Sequence, residues 1–539
     1  MKNKILWILA LVFIAAYVQF VNRAGAFDPY YSLYVDSVNS YPFQIFVDPE
    51  LFRKDPLAQN MLKHFASPDS GMAFVYIYHF LLHFVCLPIA LKIVGIVLSM
   101  LSAIIVFRWA LRYFPFEHSV FLSGCFLMYF FSMDSFFGGM GRSFGAILTV
   151  SLLYFLTQEK LVMALLCPIA AVFLYPSVVP GMLVTYALAV ANMRSGQLAW
   201  QRWWGWLGII LMLGTGLIML KLGWFATLLG SIRDVQTYKL YQNIPTPVHM
   251  NDPVSVILYY VFNFHEHSQL YRYLTSLLLL SVLVIVFKVQ KWWELPRTVW
   301  FMIAGAVASF IFILPFHATS ASRQFVFTMP LFLFIFCVFN LYKVLHNKQL
   351  RPALWLVGVI PVFLFAHIVW NDIQSFRTFK PVYDYLAGLP KDILIAGVTK
   401  SPLVRTTPFF ARSPVYFAEK YRDAWRFFFS PEFISERRKS EIEVMYAASL
   451  KDVKEFIDKT GVDYFIVESR YYDERGSWEL FVTGNSEEAV VYDILRDKLS
   501  GKRFALPEFA RDHAVFKVST PGNDISIVSA QDVIKEAGN

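Results

Sequence analysis

The chain has 539 residues, of which 57% are hydrophobic, 18% aromatic and only 16% charged, and its formal net charge is +9. Soluble domains carry about 25% charged and about 45–50% apolar residues, so the long apolar blocks here exclude an ordinary soluble globular protein. In a soluble chain a charge of +9 would suggest a nucleic-acid partner, whereas in a membrane protein it first indicates basic cytoplasmic loops. We therefore expect membrane lipids, and no nucleic acid, as partners.

Eleven apolar runs predict about eleven transmembrane helices. These runs lie at 5–21, 88–107, 118–133, 143–157, 161–175, 178–192, 203–223, 271–288, 298–316, 325–342 and 353–371. The first run lacks a small-residue cleavage site, so it is interpreted as an uncleaved span and not as a signal peptide. The segment 73–87 ends at Pro88 and is predicted to be a helix lying on, or dipping into, the membrane interface.

The charges of the loops predict the orientation. With a cytoplasmic N-terminus, the inner loops carry 13 basic and three acidic residues, and the other ten acidic residues of the membrane part face outward. The positive-inside rule favours this arrangement, and a twelfth span at 73–87 would reverse most of it. We therefore predict a multi-pass protein of the cell membrane whose C-terminal part is extracytoplasmic, or periplasmic if the organism is bacterial.

A change in composition near residue 371 predicts two domains. Residues 1–371 hold 24 basic and 13 acidic residues, whereas residues 372–539 hold 24 basic and 26 acidic ones. The fold class is thus an α-helical polytopic membrane domain over 1–371, with a large first outer loop at 22–87, followed by a soluble α/β accessory domain over 372–539. The expected elements of the second domain are strands at 393–398, 415–417 and 464–467 and helices at 431–447 and 450–460.

Acidic residues of the first outer loop are the first candidates for chemistry. Carboxylates at the membrane face could deprotonate a hydroxyl group or hold a divalent metal ion. Proline follows Asp28, Asp48 and Asp55, a pattern that equally predicts helix N-caps. Asp28 is favoured for catalysis because it lies six residues beyond the first span and precedes tyrosines at the depth expected of the interface.

Two further outer segments contain candidate residues for binding a substrate. The loop "MDSFFGGMGRSFG" holds Asp134 and Arg142, and "FHATSASRQFVFTMP" holds His317 and Arg323. An arginine at the membrane surface can bind a phosphate through paired donors. The alternatives are a flexible connector with Arg142 directed to lipid headgroups, and a headgroup anchor at Arg323.

The layout resembles the GT-C class of membrane glycosyltransferases, which use polyprenyl-phosphate sugars. The resemblance covers roughly residues 1–371 and rests on the acidic loop that begins "FDPYYSLYVDS", on the short interfacial helix and on "RQFVFTMP", which is similar to the pattern of the mannosyltransferase and aminoarabinose-transferase branches. It implies that Asp28 is the catalytic base or a metal ligand, and that Arg323 and Arg142 hold the donor phosphate. Proline follows Asp28 where the class has a second acidic residue, so the metal stays unknown and Mg²⁺ or Mn²⁺ is an open option.

The resulting prediction is an inverting hexosyl- or pentosyltransferase. It would move a sugar from a polyprenyl-phosphate donor to a hydroxyl group of a lipid, glycan or protein acceptor at the extracytoplasmic face, with Asp28 as base. Arg142, Arg323, His317, Asp55 and Asp134 are the predicted substrate-binding residues. The alternatives are a polysaccharide polymerase or ligase with a lipid-diphosphate donor, a lipid or glycan transporter, and a non-enzymatic envelope assembly protein.

Overall fold

The computed structural model describes most of the first outer loop, five apolar helices and much of the C-terminal part. The described residues are 30, 35–66, 73–116, 140–175, 178–192, 297–313, 377–398, 401–417, 429–472 and 503–538, with single positions between 119 and 126 and between 203 and 214. The predicted spans at 5–21, 271–288, 325–342 and 353–371 lie outside this part of the chain.

The described part of the first outer loop contains three short helices. A 3₁₀ helix covers Val35–Phe46, α1 covers Pro56–Ala66 and α2 covers Val75–Leu81. The seven residues of α2 are far fewer than the about 20 that a span requires. Its Val75 and Tyr78 are buried, whereas Tyr76 and Phe80 are exposed, so α2 presents aromatic side chains outward just before the next helix.

Five apolar helices follow the loop. They are α3 (Leu87–Ala110), α4 (Gly141–Thr157), α5 (Leu161–Leu174), α6 (Val179–Ala191) and α7 (Arg297–Ile313). Within the described residues, α3 is the one helix long and apolar enough to cross a membrane. All five begin and end close to the bounds predicted from the apolar runs, while the total of eleven spans stays a prediction.

Small residues allow the apolar helices to approach closely. A Cβ atom added to Gly305 of α7 would lie 2.4 Å from the Gly181 carbonyl oxygen and 2.4 Å from Thr185 Oγ1 of α6, so the two backbones touch at this glycine. At one end of the bundle, Trp109 Nε1 of α3 donates to Thr157 Oγ1 of α4 at 3.2 Å, and Thr157 lies 3.2 Å from Thr298 Oγ1 of α7. Close packing and hydroxyl bonds of this kind stabilise helix contacts in lipid.

The C-terminal part is an α/β unit with a four-stranded mixed sheet. Its helices are α8 (Lys380–Ala387), α9 (Pro402–Phe410), α10 (Pro431–Met445), α11 (Leu450–Thr460), α12 (Ala505–His513) and α13 (Ala530–Ala537). Its strands are β1 (Ile395–Gly397), β2 (Tyr464–Glu468), β3 (Phe516–Thr520) and β4 (Asn523–Ser529). The order is β1-β2-β4-β3, with β1 parallel to β2 and the other pairs antiparallel.

Local sequence signals explain where several of these helices begin and end. Ser401, Ser430 and Ser449 each accept a hydrogen bond from a backbone N–H in the first turn of α9, α10 and α11. Such caps satisfy backbone donors that have no partner inside the helix. Gly461 ends α11 in the left-handed conformation at φ 68°, which favours glycine.

The predicted elements of the C-terminal part are present, with one difference. The predicted strand near 415–417 is reduced to a single parallel bridge between Val415 and Ile395, in which Tyr416 N donates to the Ile395 carbonyl at 2.7 Å. The hairpin formed by β3 and β4 turns at Pro521 and Gly522, where Gly522 has φ 76°. This hairpin and the helices α8, α9, α12 and α13 were not among the elements predicted from the sequence.

One hydrophobic core joins the first outer loop to the C-terminal part. It includes buried side chains from Tyr41 to Val94, then Phe144 at the start of α4, and then residues from Phe379 to Val533. A second core lies among α3 to α7 and contains Trp109, Leu153 and Met302. The predicted boundary at residue 371 therefore divides the sequence but does not divide the first core.

We predict that Gly397→Ala destabilises this core. An added Cβ atom would lie 2.5 Å from Val404 Cγ2 and 3.3 Å from the Ile466 carbonyl oxygen, so β1 would have to shift. Overpacking of this kind typically costs about 1–3 kcal/mol. Thermal unfolding in detergent should show a lower melting temperature for this variant and little change for Gly388→Ala, where the nearest atom is 3.4 Å away. Equal melting temperatures for the two variants would contradict the packing described here.

Candidate functional site

The first outer loop is joined to the C-terminal part by a buried polar contact. Gln44 is 6% exposed, and its Nε2 donates to the carbonyl oxygens of Pro408 at 3.2 Å and Phe409 at 3.4 Å. These carbonyls belong to the last turn of α9, where no helical N–H is available to them. Buried polar groups need hydrogen-bond partners. The Gln44 amide of the loop and the two carbonyl groups of α9 supply these partners to each other.

Two ion pairs lie at the edge of this contact between the outer loop and the C-terminal part, which we call the joint. Lys391 Nζ lies 2.5 Å from Asp48 Oδ2, and Lys54 Nζ lies 3.0 Å from Asp463 Oδ2. The hydrogen bond from Lys391 holds the pKa of Asp48 below its usual value. Ion pairs near the surface contribute about 0–1 kcal/mol each to the free energy of unfolding, so these two pairs add little to the stability of the contact. Asp48 was a predicted helix cap, but turns follow it and its carboxylate binds Lys391.

Asp55 caps α1. It is 3% exposed, and its Oδ1 accepts hydrogen bonds from Leu57 N at 2.9 Å and Ala58 N at 3.1 Å. Its Oδ2 accepts the hydroxyl of Tyr41 at 2.6 Å. Burial raises the pKa of Asp55, and these hydrogen bonds act in the opposite sense. Both carboxylate oxygens are therefore engaged by the loop itself, as the capping alternative describes, and a direct substrate contact would have to displace one of these donors.

Two charged residues of α10 that no sequence pattern singles out, the half-buried Arg437 and the buried Glu441, lie at the same contact between the loop and the C-terminal part. Arg437 Nε donates to the Tyr416 carbonyl at 2.5 Å, and its guanidinium lies 3.8 Å from the centre of the Tyr416 ring. Glu441 is 0% exposed and accepts a hydrogen bond from Gly397 N at 3.3 Å. Burial raises the pKa of Glu441 well above its usual range, while the positive charge of Arg437 acts in the opposite sense.

Tyr30, in the first outer loop, contacts helix α8 of the C-terminal part. Its ring stacks on Tyr383 of α8 with centroids 6.1 Å apart, and its hydroxyl donates to the carboxylate of Asp384. Lys380 Nζ lies 5.0 Å from the centre of the same ring and donates to Asp384 Oδ2 at 2.6 Å. Tyr30 is two residues after Asp28 in the sequence.

Arg142 lies in the first turn of α4, at the end of this helix that meets the first core. Phe144 stacks on Phe74 of the outer loop with centroids 5.8 Å apart, and Gly141 packs so closely that an added Cβ would lie 3.1 Å from Tyr175. The N-terminus of a helix and an arginine both favour an anion. The structure therefore brings Arg142 to the same end of the protein as the outer loop and the C-terminal part.

The other predicted site residues, Asp28, Asp134, His317 and Arg323, lie outside the described residues. Their convergence with Arg142 on one cavity stays a prediction. The metal ligands also stay unassigned, since no group of three or more His, Cys, Asp or Glu side chains that could hold a metal ion occurs in the described part of the chain.

Comparisons with known proteins give fold similarities at low identity. No protein-family model matches the chain, and no curated protein matches it. Among solved structures, the chain is similar to the Archaeoglobus fulgidus oligosaccharyltransferase in complex with Zn and sulfate, with a TM-score of 0.44 and 10% identity over 96% of this chain and 73% of that chain.

Two further structures of the same archaeal enzyme give similar values. Oligosaccharyltransferase AglB in complex with an inhibitory peptide and a dolichol-phosphate matches 98% of this chain and 75% of its own, with a TM-score of 0.43 and 10% identity. The apo form matches 86% of this chain and 70% of its own, again with a TM-score of 0.43 and 10% identity. A similarity at this level does not carry the activity of those enzymes over to this chain.

We predict different effects for two substitutions of Asp55. Asp55→Ala removes the cap of α1 and leaves the buried Tyr41 hydroxyl without its acceptor, which should lower the free energy of unfolding by about 2–3 kcal/mol. Asparagine is as good a cap as aspartate, so Asp55→Asn should retain most of the stability. Thermal unfolding in detergent measures both effects, and equal losses in the two variants would contradict the capping role.

We also predict a pH-dependent effect of Glu441→Gln. A carboxyl group whose pKa is raised by folding favours the folded state below its ordinary pKa, and this contribution is lost as pH rises through the raised value. Glutamine cannot ionise, so the melting temperature of the variant relative to the unmodified protein should increase from pH 5 to pH 8. A difference that is constant with pH would show that Glu441 does not titrate in this way.

Proposed function

We propose that the chain is a membrane glycosyltransferase that moves a sugar from a polyprenyl-phosphate donor to an acceptor hydroxyl at the extracytoplasmic face. The observation that carries the proposal is the first core, which packs the acidic outer loop, the start of α4 with Arg142, and the C-terminal α/β unit against one another. The helix that carries Arg142, a candidate phosphate ligand, thus meets the described part of the outer loop at one end of the helices, and Asp28, the proposed base, precedes that part in the sequence. This arrangement suits a reaction at a membrane face.

The polarity of the helix ends supports the proposed orientation. Arg112 follows the end of α3 and donates to the Thr157 carbonyl at 3.3 Å, next to the contact between Thr157 and Thr298. Arg297 begins α7 at the same end. These basic residues were predicted to be cytoplasmic, and they lie at the opposite end of α4 from Phe144 and the first core. In this orientation the C-terminal unit is extracytoplasmic.

In the proposed reaction, Asp28 takes the proton of the acceptor hydroxyl as the oxygen attacks the anomeric carbon. A new C–O glycosidic bond forms, the bond from the anomeric carbon to the phosphate oxygen breaks with inversion, and the polyprenyl phosphate leaves with the bonding electrons. Arg142 and Arg323 stabilise the negative charge of the leaving phosphate. His317 and Asp134 contact the substrate from the adjoining segments, and Asp55 supports the loop through its cap. A divalent cation, Mg²⁺ or Mn²⁺, would add charge stabilisation at the phosphate.

The principal alternative within glycosyl transfer is a polymerase or ligase with a lipid-diphosphate donor, which would use the same end of the protein. A transporter would be expected to carry charged groups near mid-membrane. In α3 the buried charge is Lys92, which lies in the second turn, close to the end that meets the outer loop. This placement gives no support to a transport pathway through α3.

The test is sugar transfer by the purified full-length protein in detergent or liposomes, with polyprenyl-phosphate and polyprenyl-diphosphate sugars as donors. Loss of a general base lowers rates about 10²–10⁴-fold, so Asp28→Asn should reduce kcat by at least about 100-fold. Arg142→Gln should raise the KM for the donor, and Asp512→Asn, an exposed carboxylate of α12, is the matched control. Normal transfer by Asp28→Asn would refute the base, and flux of lipid-linked sugar without a covalent product would favour the transporter.

A further inference from the structure

We propose that the first turn of α4 binds a phosphate group, and that the Ser143 hydroxyl donates a hydrogen bond to a phosphate oxygen there, beside Arg142. The inference rests on the proposed function only for the source of the phosphate, which is then the polyprenyl-phosphate donor. The site itself consists of described residues of α4 and of the elements packed against them. Ser143 was not among the residues predicted from the sequence.

The start of α4 has the arrangement of an anion site. The helix begins at Gly141, its N-cap is Met140, and no described side chain caps it. The first N–H groups of a helix have no carbonyl partner inside the helix, and they form the positive end of its dipole. Phosphate groups bind at helix starts for both reasons, and a glycine there lets an anion come close to the backbone.

The Ser143 side chain is an independent indication of a ligand. Ser143 is 3% exposed, and its Oγ has no hydrogen-bond partner among the residues that the structure describes. Buried hydroxyl groups nearly always have such a partner. Because the side chains of a helix lean toward its N-terminus, the hydroxyl of this third residue of α4 is directed to the helix start.

Other buried hydroxyl groups of the apolar helices are satisfied within their own helix. Three of them donate to the carbonyl oxygen four residues earlier, at 2.7–2.8 Å: Ser102, Thr149 and Thr185. Ser143 is only two residues after the first residue of α4, so the carbonyl four residues earlier does not belong to the helix. Its hydroxyl therefore requires an acceptor from outside α4.

The elements around the start of α4 carry positive charge. The sequence ranges 73–94, 140–150 and 168–175 form α2 and the ends of α3, α4 and α5 that meet the first core. These ranges contain Arg142 and the buried Lys92, but no Asp or Glu. Since charges interact more strongly where water is excluded, a negatively charged ligand is favoured at this place.

Aromatic side chains hold the start of α4 in position. A Cβ atom added to Gly141 would lie 3.1 Å from Tyr175 Cδ2 and 3.2 Å from Phe74 Cε1. Next to Phe74, the Ala73 N–H donates to the Phe173 carbonyl oxygen at 2.8 Å, which links the outer loop to the end of α5. The hydrogen-bond donors of the first turn are thus preorganised, which lowers the entropic cost of binding.

A phosphate group matches this set of donors. Its several oxygens can accept hydrogen bonds from the hydroxyl, the guanidinium and the backbone N–H groups at the same time. Inorganic phosphate, a phospholipid headgroup and a polyprenyl phosphate share this chemistry. The start of α4 lies where an apolar helix meets the outer loop, so a phosphate bound there can extend a lipid tail along the helix. This placement favours the polyprenyl phosphate.

The experiment measures ligand binding by the purified full-length protein in detergent. The probes are undecaprenyl phosphate, undecaprenol, inorganic phosphate and phosphatidylglycerol. Ser143→Ala should weaken the binding of undecaprenyl phosphate about tenfold, because it removes a hydrogen bond to a charged group. The binding of undecaprenol, which has no phosphate, should not change.

Ser102→Ala is the matched control. Ser102 is also 3% exposed, and its hydroxyl is bonded within α3, so this variant should keep the full affinity for undecaprenyl phosphate. Ser143→Ala should keep the melting temperature of the unmodified protein, because the substitution removes a hydroxyl that no described residue accepts from. Equal affinities of the two variants for undecaprenyl phosphate would overturn the proposal, as would a lower melting temperature of Ser143→Ala with unchanged affinity.

The other probes identify the source of the phosphate. Binding of phosphatidylglycerol that depends on Ser143, without such binding of undecaprenyl phosphate, would retain the phosphate site and assign it to a phospholipid headgroup. Ser143-dependent binding of inorganic phosphate alone would assign it to the free ion. Undecaprenyl phosphate is the expected ligand.

The two proposals fail in different ways. Ser143-dependent binding of undecaprenyl phosphate by a protein that transfers no sugar would refute the proposed function and leave the phosphate site. Sugar transfer that is lost in Asp28→Asn, combined with unchanged binding in Ser143→Ala, would refute the phosphate site alone.

Discussion

The hydrogen bonds from the buried Gln44 side chain to the carbonyl oxygens of Pro408 and Phe409 join the outer loop to the C-terminal unit. The buried apolar residues of the loop share one core with the C-terminal unit, and α9 ends with carbonyls that need donors. Packing of Phe43 and Tyr41 around this contact buries apolar surface from both parts. The ion pairs Lys391–Asp48 and Lys54–Asp463 and the contacts of Tyr30 with α8 all depend on the two parts being held together.

Charged side chains between the outer loop and the C-terminal unit lie close to groups of opposite charge, which offsets part of the free-energy cost of removing them from water. Arg437 lies among Asp55, Glu441 and Tyr416, and electrostatic attraction to the two carboxylates opposes the lowering of its pKa by burial. The carboxylate of Glu441 accepts the N–H of Gly397, and the backbone groups of Gly397 and Phe417 oppose the raising of its pKa by burial. Loss of one of these charges would leave the opposite charge less compensated.

The sequence predicted those elements whose signals are local. The apolar runs gave the bounds of α3 to α6 within a few residues, and the amphipathic spacing with Ser449 and Gly461 gave α11 at its observed ends. The Asp55-Pro56 pair also predicted a cap that the structure contains. These signals suffice because helix formation and capping depend on residues within one or two turns.

The contacts that define the candidate site are between residues far apart in the chain, and no local pattern predicts them. The charged run "ERRKSEIE" reads as a solvated helix face, yet Arg438 and Glu441 within it are buried. Tyr30 reads as an interfacial tyrosine, and only the fold pairs it with Asp384, 354 residues away. The hairpin β3–β4 has a turn signal at Pro521-Gly522 that the sequence predictions did not use, and the residues of β3 are only half-buried or exposed, so that strand has no strong apolar pattern.

The separation between Gln44 and its acceptors, 364 and 365 residues, has a consequence for biosynthesis. Ribosomes add about 5–20 residues per second, so about 20–70 s pass between synthesis of the loop and synthesis of α9. During that interval Phe43, Tyr41 and the Gln44 amide have no partner from the C-terminal unit. The nascent protein must therefore keep an unfinished outer loop from aggregating, and every chain truncated before α9 would present the same apolar surface to the quality-control proteases of its compartment.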